Sequence, residues 1–418
     1  SKRDVGFNGN RLMKIKLLTI LLLLGVLYSN AQITREYTVV MRSNVGSAVM
    51  WDNVSLRIYG FAPNLSSQPQ LPGVTLYAEE GDSVFINAAA ISQGDEHTVH
   101  LHGLDVDTRN DGDPLTSHPI GHLQTRTYKF YAAHAGTYTY HCHVDDVIHV
   151  QMGMYGLIIV KAKGGLKTAW TNGPAYDKEF PWLLSEIDRS WHDTIPRMIG
   201  DTLLVPKYKP NYFLINGKSE QQIEADTAIK IDGVPNNHLY VRLANIGYYY
   251  NRVIFPTELN AVLIDTDGRP LPKSIRTDTV EVMPGERYGV MLNPTALYKG
   301  TVAVGYANMN TNVFENVQHV PVNIHDPVSV KENEKLEAMI TMYPNPAVNE
   351  LFITSASKDI LDVELEFINS LGQQVSKNKM RIDLSPSVLN TENIPNGIYQ
   401  VRIRCRNFLI YKKLFITK

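Results

Sequence analysis

Short runs in which apolar and polar residues alternate recur along most of this chain, with Gly, Pro, Asn and Asp between them. TREYTVVMRS (34–43), VFINAAAIS (84–92), HTVHLHGLDV (97–106), RTYKFYA (126–132), GTYTYHCHV (136–144) and YGLIIVKA (155–162) are such runs. A period of two marks strands with one buried face, and the turn-forming residues mark the connections between them. Many short strands at this spacing predict an all-β chain of sandwiches or barrels.

The pattern divides the chain. A first β domain is expected over 33–165, followed by a linker that runs through KGGLKTAWTNGPAYDKEFPW. A second is expected over 180–326, on NYFLINGKS, HLYVRLANIG, AVLIDTDGRPLP and VEVMPGERYGVML. The polar stretch HDPVSVKENEKLEAM reads as a tether to a small β-sandwich over 340–418. Residues 1–32 read as a signal peptide with an upstream extension. Met13-Lys14-Ile15-Lys16 is basic, Leu17 to Tyr28 is apolar but short for a membrane span, and Ser29-Asn30-Ala31 offers a cleavage site. The mature protein is therefore expected to be soluble and exported through the periplasm, secreted or at the cell surface.

Composition adds exclusions. Charge is balanced, with a formal net of −2, so no basic surface for nucleic acid is indicated. Two cysteines, Cys142 and Cys405, exclude a disulfide scaffold. Cys405, with no histidine near it, reads as a plain strand residue. Histidine is what stands out. Nine of thirteen, at 97, 100, 102, 118, 122, 134, 141, 143 and 149, lie within 53 residues.

Strand parity sorts them. In YHCH, His141 and His143 share a face, about 6–7 Å apart, and Cys142 points the other way. In HTVHLHG, His100 and His102 share a face, and a regular strand turns His97 to the other. If the two strands are neighbours, one face holds His97 and Cys142, and the opposite face holds His100, His102, His141 and His143. His149 and Met154 follow on a loop and can join the first set. Two His, one Cys and a weak axial Met form the ligand set of a blue-copper electron-transfer site. Four imidazoles without a carboxylate suit copper ions that bind a small oxidant. His141-Cys142-His143 would then wire the two sites together.

HTVHLHG and HCHVDDVIHVQMGM resemble the two copper signatures of the last domain of multicopper oxidases. The resemblance implies two cupredoxin-like Greek-key domains, the second copper-free. It makes His97, Cys142, His149 and Met154 the type 1 copper ligands. It assigns His100, His102, His141 and His143 to type 2/type 3 copper, with dioxygen as acceptor and a small molecule or metal ion as electron donor. Met154 rather than Met152 follows the glycine at the family spacing, so Met152 reads as packing. Asp145 is a candidate proton relay, although a solvated loop carboxylate is the plainer reading of both Asp145 and Asp146. The remaining histidines read as loop or surface residues, and DVDTRNDGD (105–113) reads as a polar turn.

The chain departs from a full oxidase in carrying two His-x-His pairs where the family uses four. A second copy could complete the cluster, and a homo-oligomer, a trimer above all, is the expectation. Alternatively only the type 1 site fills, and the protein carries electrons or copper. The longer Cys142–His149 spacing approaches that of copper nitrite reductases, but the position of their catalytic Asp, two residues before the type 2 His, is His100 here. At the other end, YPNPAVNELFI, INSLGQQV, NIPNGIYQVRI and KKLFITK resemble the C-terminal sorting domain of the type IX secretion system, which implies that machinery as a partner.

Overall fold

The computed structural model describes residues 33–91, 96–195, 206–326, 339–356, 361–369, 373–405 and 408–418. The expected signal peptide lies outside the described residues, as does most of the expected tether. Two units separate at His325/Asp326. No helix among the described residues is long and apolar enough to cross a membrane.

The first unit holds two β-sandwiches. In the first, one sheet runs Ser55–Ala62, Thr34–Val49, Ser83–Ala90, Thr125–Tyr131, and the other runs Leu76–Glu79, Tyr155–Lys161, Gly136–His141, His100–His102. The alternation read from the sequence is the burial seen: Ser83–Ala90 buries every second residue, Val84, Ile86, Ala88 and Ala90. These side chains meet Met41, Phe61, Tyr128, Tyr140 and Ile158 in one core. Each large apolar side chain taken fully from water contributes about 1.5–3 kcal/mol, so the two sheets hold together through this layer.

The second sandwich pairs a six-stranded sheet (Tyr212–Ile215, Lys178–Ile187, Leu239–Asn245, Arg287–Leu292, Val262–Thr266, Arg269–Arg276) with a five-stranded one (Ile231–Gly233, Val313–Ile324, Tyr298–Asn308, Tyr250–Ile254, Thr279–Val282). Trp182, Leu184, Val241, Leu243, Val290 and Val304 lie in its core. The second unit is a smaller sandwich of three and four strands around Leu351, Ile353, Leu365, Phe367, Val401 and Ile403.

Two local differences from the sequence pattern matter for the site. The strand expected over 97–106 is only His100–His102, and His97 sits before it in an isolated bridge to Ile120. The segment after Cys142, expected as loop, contains a helix, Asp146–Gln151. Asp145 takes a left-handed conformation (φ 43°) that turns the chain out of the strand. Ile148, His149, Val150 and Gln151 are all buried because the helix is covered on more than one side: Ile148 joins the core of the first sandwich and Val150 packs with Leu183, Ala244 and Ile246 of the second.

Candidate metal centre

The sulfur site is assembled from three elements. Cys142 follows the Gly136–His141 strand, and its amide donates to Met154 O at 3.1 Å. His149 comes from the short helix, and His97 from the segment before His100–His102. Cys142 Sγ lies 3.2 Å from His149 Nδ1 and 3.7 Å from His97 Nδ1, with the two rings 4.9 Å apart. All three are essentially inaccessible to water, at 0–1% exposure. Ser43 Oγ sits 2.7 Å from His97 Nε2. A metal at this site needs the Nδ1 lone pair, and in that tautomer the serine hydroxyl can accept the Nε2 proton. Burial pushes the Cys142 thiol up, but the hydrogen bonds with His149 and His97 outweigh it and hold the group at about 6. Met152 and Met154 are both fully buried in the same core.

The Met-Gly-Met turn depends on its glycine. Gly153 has φ +111°, and a Cβ there would meet Tyr59 O and Leu71 Cδ1 at 2.9 Å. Only glycine accommodates both the conformation and the approach.

The imidazole site forms on the other side of the strands. His100 pairs with His141 across the antiparallel ladder, as neighbouring strands require. Ring centroids lie 5.0 Å apart for His100–His141, 5.6 Å for His100–His102 and 4.9 Å for His100–His143. One nitrogen from each of His100, His102 and His141 falls within 4.8 Å of the others, and His143 flanks the group. Burial pushes His141 down to about 3 and His102 down to about 4, and lowers His100. Neutral imidazoles keep a lone pair, the form that binds a metal. A buried thiol beside two nitrogens, with a cluster of neutral imidazoles behind it, fits copper by donor type.

Several surrounding groups escaped the sequence. His100 Nδ1 meets Asp111 O at 2.7 Å, with Asp111 Oδ1 at 3.6 Å, and His143 Nδ1 lies 3.9 Å from Asp113 Oδ2. The turn that reads as merely polar therefore sits beside the imidazoles. Gly112 makes this possible: with φ +82°, its hydrogen lies where a Cβ would strike Val99 O at 2.2 Å. Asp145, the candidate relay, faces solvent, and its carbonyl rather than its carboxylate starts the helix, accepting from Ile148 N and His149 N. The second sandwich also contributes. Its Gly285 O lies 3.1 Å from His102 Nε2, and its Arg287 reaches Thr137 O and Gly285 O. Ser43, Gln151, His192, Gly285 and Arg287 carry no spacing signal that would have found them.

Two family models with the description multicopper oxidase match residues 61–165 and 187–320. The chain belongs to the multicopper oxidase family. The two matches fall on the two sandwiches of the first unit, so the all-β, cupredoxin-like reading holds for both. Copper is the cofactor of multicopper oxidases, and both donor sets suit it. Residues 341–417 match a secretion system C-terminal sorting domain, in agreement with the type IX resemblance and with export to the surface or beyond.

Among relatives of this chain, an L-ascorbate oxidase of Brassica rapa subsp. pekinensis is 25% identical over 58% of this chain and 46% of its own length. A copper-containing nitrite reductase of Neisseria meningitidis serogroup B is 32% identical over 35% of each chain. The chain thus spans less than half the length of the curated relatives it matches. The crystal structure of the blue copper oxidase from Nitrosomonas europaea superposes with a TM-score of 0.55 at 26% identity, covering 72% of this chain and 91% of the other.

Proposed function

We propose that this chain is an exported copper-dependent oxidoreductase that takes electrons singly from a donor at the Cys142 site and passes them to dioxygen at the imidazole site. His97, Cys142, His149 and Met154 would hold the type 1 copper, and His100, His102, His141 and His143 the type 2/type 3 copper. Copper bound in these sets supplies one-electron acceptance at the thiolate and electron delivery to dioxygen at the imidazoles.

One observation carries this reading. Cys142 belongs to the first donor set, its chain neighbour His141 belongs to the second, and its other neighbour, His143, flanks that second set. His141 Nδ1 also lies 2.9 Å from Cys142 O. The two sites are therefore joined by covalent bonds and one hydrogen bond. The protein's own contribution is positional: a buried thiol held low enough to ionise, and imidazoles kept neutral by burial. Oxygen reduction consumes protons. Asp111 and Asp113, beside His100 and His143, are better placed than Asp145 to hold one near the imidazoles.

Four imidazoles are half of what the full family cluster uses, which favours a homo-oligomer, in particular a trimer, in which a second copy completes the site. The same shortage supports a second reading, an electron-transfer or copper-binding protein with only the type 1 site filled. The sorting-domain match favours export by the type IX machinery, with 1–32 as its signal peptide. Copper counting and oxygen uptake with a phenolic donor on the purified oligomer test both readings. More than one copper per chain with oxygen consumption supports the oxidase. One copper per chain without consumption replaces it with the carrier.

A further inference from the structure

Gln151 and His192 belong to neither donor set, yet they join the two sandwiches at the ligand loop. Gln151 lies two residues after His149 and three before Met154, and it is buried. Its side-chain amide is used from both ends. Nε2 donates to Glu186 O at 3.1 Å and reaches Tyr208 Oη at 3.2 Å, and Oε1 accepts from Asp188 N at 2.7 Å. The amide thus completes the hydrogen bonding of the backbone at the end of the Lys178–Ile187 strand, which belongs to the second sandwich.

The main chain is held as well. Gln151 O faces His192 Nε2 at 3.0 Å, and the other ring nitrogen, Nδ1, faces Arg57 O at 2.7 Å. His192 is buried on the Arg189–Thr194 helix, which follows the Lys178–Ile187 strand of the second sandwich in the chain and packs its Trp191 into the core of the first, where Arg57 lies on a strand. The ring is thus wedged between the ligand loop and the neighbouring strand, and a neutral imidazole donates its single N–H to one of the two carbonyls. Beyond it, Met152 O accepts from Tyr59 N at 3.0 Å, and Met154 N donates to His149 O at 2.9 Å. Between His149 and Met154, Gln151 makes the hydrogen bonds described above, while Val150 packs with Leu183, Ala244 and Ile246 of the second sandwich.

A ligand loop holds its metal geometry only as firmly as its outer partners hold the loop. We propose that Gln151 and His192 are positioning residues for the sulfur site, through which the copper-free second sandwich sets the geometry of the His149–Met154 loop. The inference rests on the copper reading of that site and assigns the second sandwich a task in it.

The test uses the full chain loaded with copper, unaltered and as Gln151→Ala, His192→Phe and His192→Gln. Its readouts are the thiolate-to-copper absorption and paramagnetic resonance signals, the rate of copper release to a chelator, the copper count, and thermal unfolding of the copper-free protein. Gln151→Ala and His192→Phe are expected to move the thiolate band and release that copper at least ~10-fold faster, with the imidazole-site copper count unchanged. His192→Gln, whose amide can still donate to Gln151 O, is expected to restore the band. Unchanged bands and release rates, with only the unfolding temperature lowered, would mean a merely structural contact and overturn the inference alone. Absence of a thiolate band in the unaltered protein overturns the copper reading and this inference with it. Should Gln151→Ala not fold, the contrast between His192→Phe and His192→Gln decides by the same readouts.

Discussion

Ser43 Oγ and His97 Nε2 lie 2.7 Å apart, and both side chains are buried. The serine sits where the Thr34–Val49 strand slips in register against Ser55–Ala62, between Arg42 and Gly46. The slip falls next to a metal-site residue, and irregularities of this kind re-aim side chains. The hydroxyl can accept from Nε2–H, which favours the selection a metal would need, the tautomer whose Nδ1 lone pair faces Cys142.

Ser43→Ala removes that selection without touching a donor atom. Copper affinity at the sulfur site is expected to fall about 10–100-fold, the range for loss of an outer-shell partner. Competitive titration against a chelator, read at the thiolate band, checks it. An unchanged affinity would show that His97 is oriented by packing alone.

Cys142→Ser keeps the shape of the site but removes the soft ligand. The thiolate band and electron uptake from a donor should vanish together, while the imidazole site still takes copper. Oxygen uptake persisting at the unaltered rate in this variant would contradict a route through Cys142.

Gly153→Ala places a Cβ 2.9 Å from Tyr59 O at a φ of +111°. The strained conformation alone costs on the order of 1–3 kcal/mol, with the contact added to it. Chemical denaturation should show a loss of at least this size, and the ligand loop should be the first region to lose amide protection.

Glu186 gives the protein a pH signature. Burial pushes its carboxyl up to about 7, against the opposing hydrogen bonds from Tyr248 N, Tyr249 N and the Tyr208 hydroxyl. Its Oε2 is buried without a hydrogen-bond partner among the described residues. In the folded protein the carboxyl thus stays protonated where the unfolded chain has already ionised. Stability should be greatest below the ordinary carboxyl range and fall as pH rises toward about 7, by on the order of 3 kcal/mol. Glu186→Gln, neutral at every pH, should flatten that part of the profile. Unfolding midpoints of the copper-free protein across pH 4 to 8 measure it (a range set by the usual carboxyl values).

How much of this was legible beforehand follows from what leaves a periodic trace. Alternation along Ser83–Ala90 and Gly136–His141 is local, so the strands could be read from it. Parity around Cys142 is local too, and it separated the sulfur face from the imidazole face. It succeeded for His97 by a different route than a regular strand, since His97 precedes the three-residue strand and is placed by its bridge to Ile120. The helix at Asp146–Gln151 was missed because six residues are too few to establish a helical period.

The sequence by itself determined the all-β class, the run of strands and the donor types, because strand periodicity and metal-ligand chemistry both act over a few neighbouring residues. Only the tertiary structure decided who supports those donors. Ser43 is 54 residues from His97, Gly285 is 183 from His102, and His192 is 41 from Gln151. Each of these bonds is a single polar contact between segments that only folding brings together, within the first sandwich for Ser43 and His97 and between the two sandwiches for Gly285 and His102. Such a contact obliges no pattern in the chain between its ends.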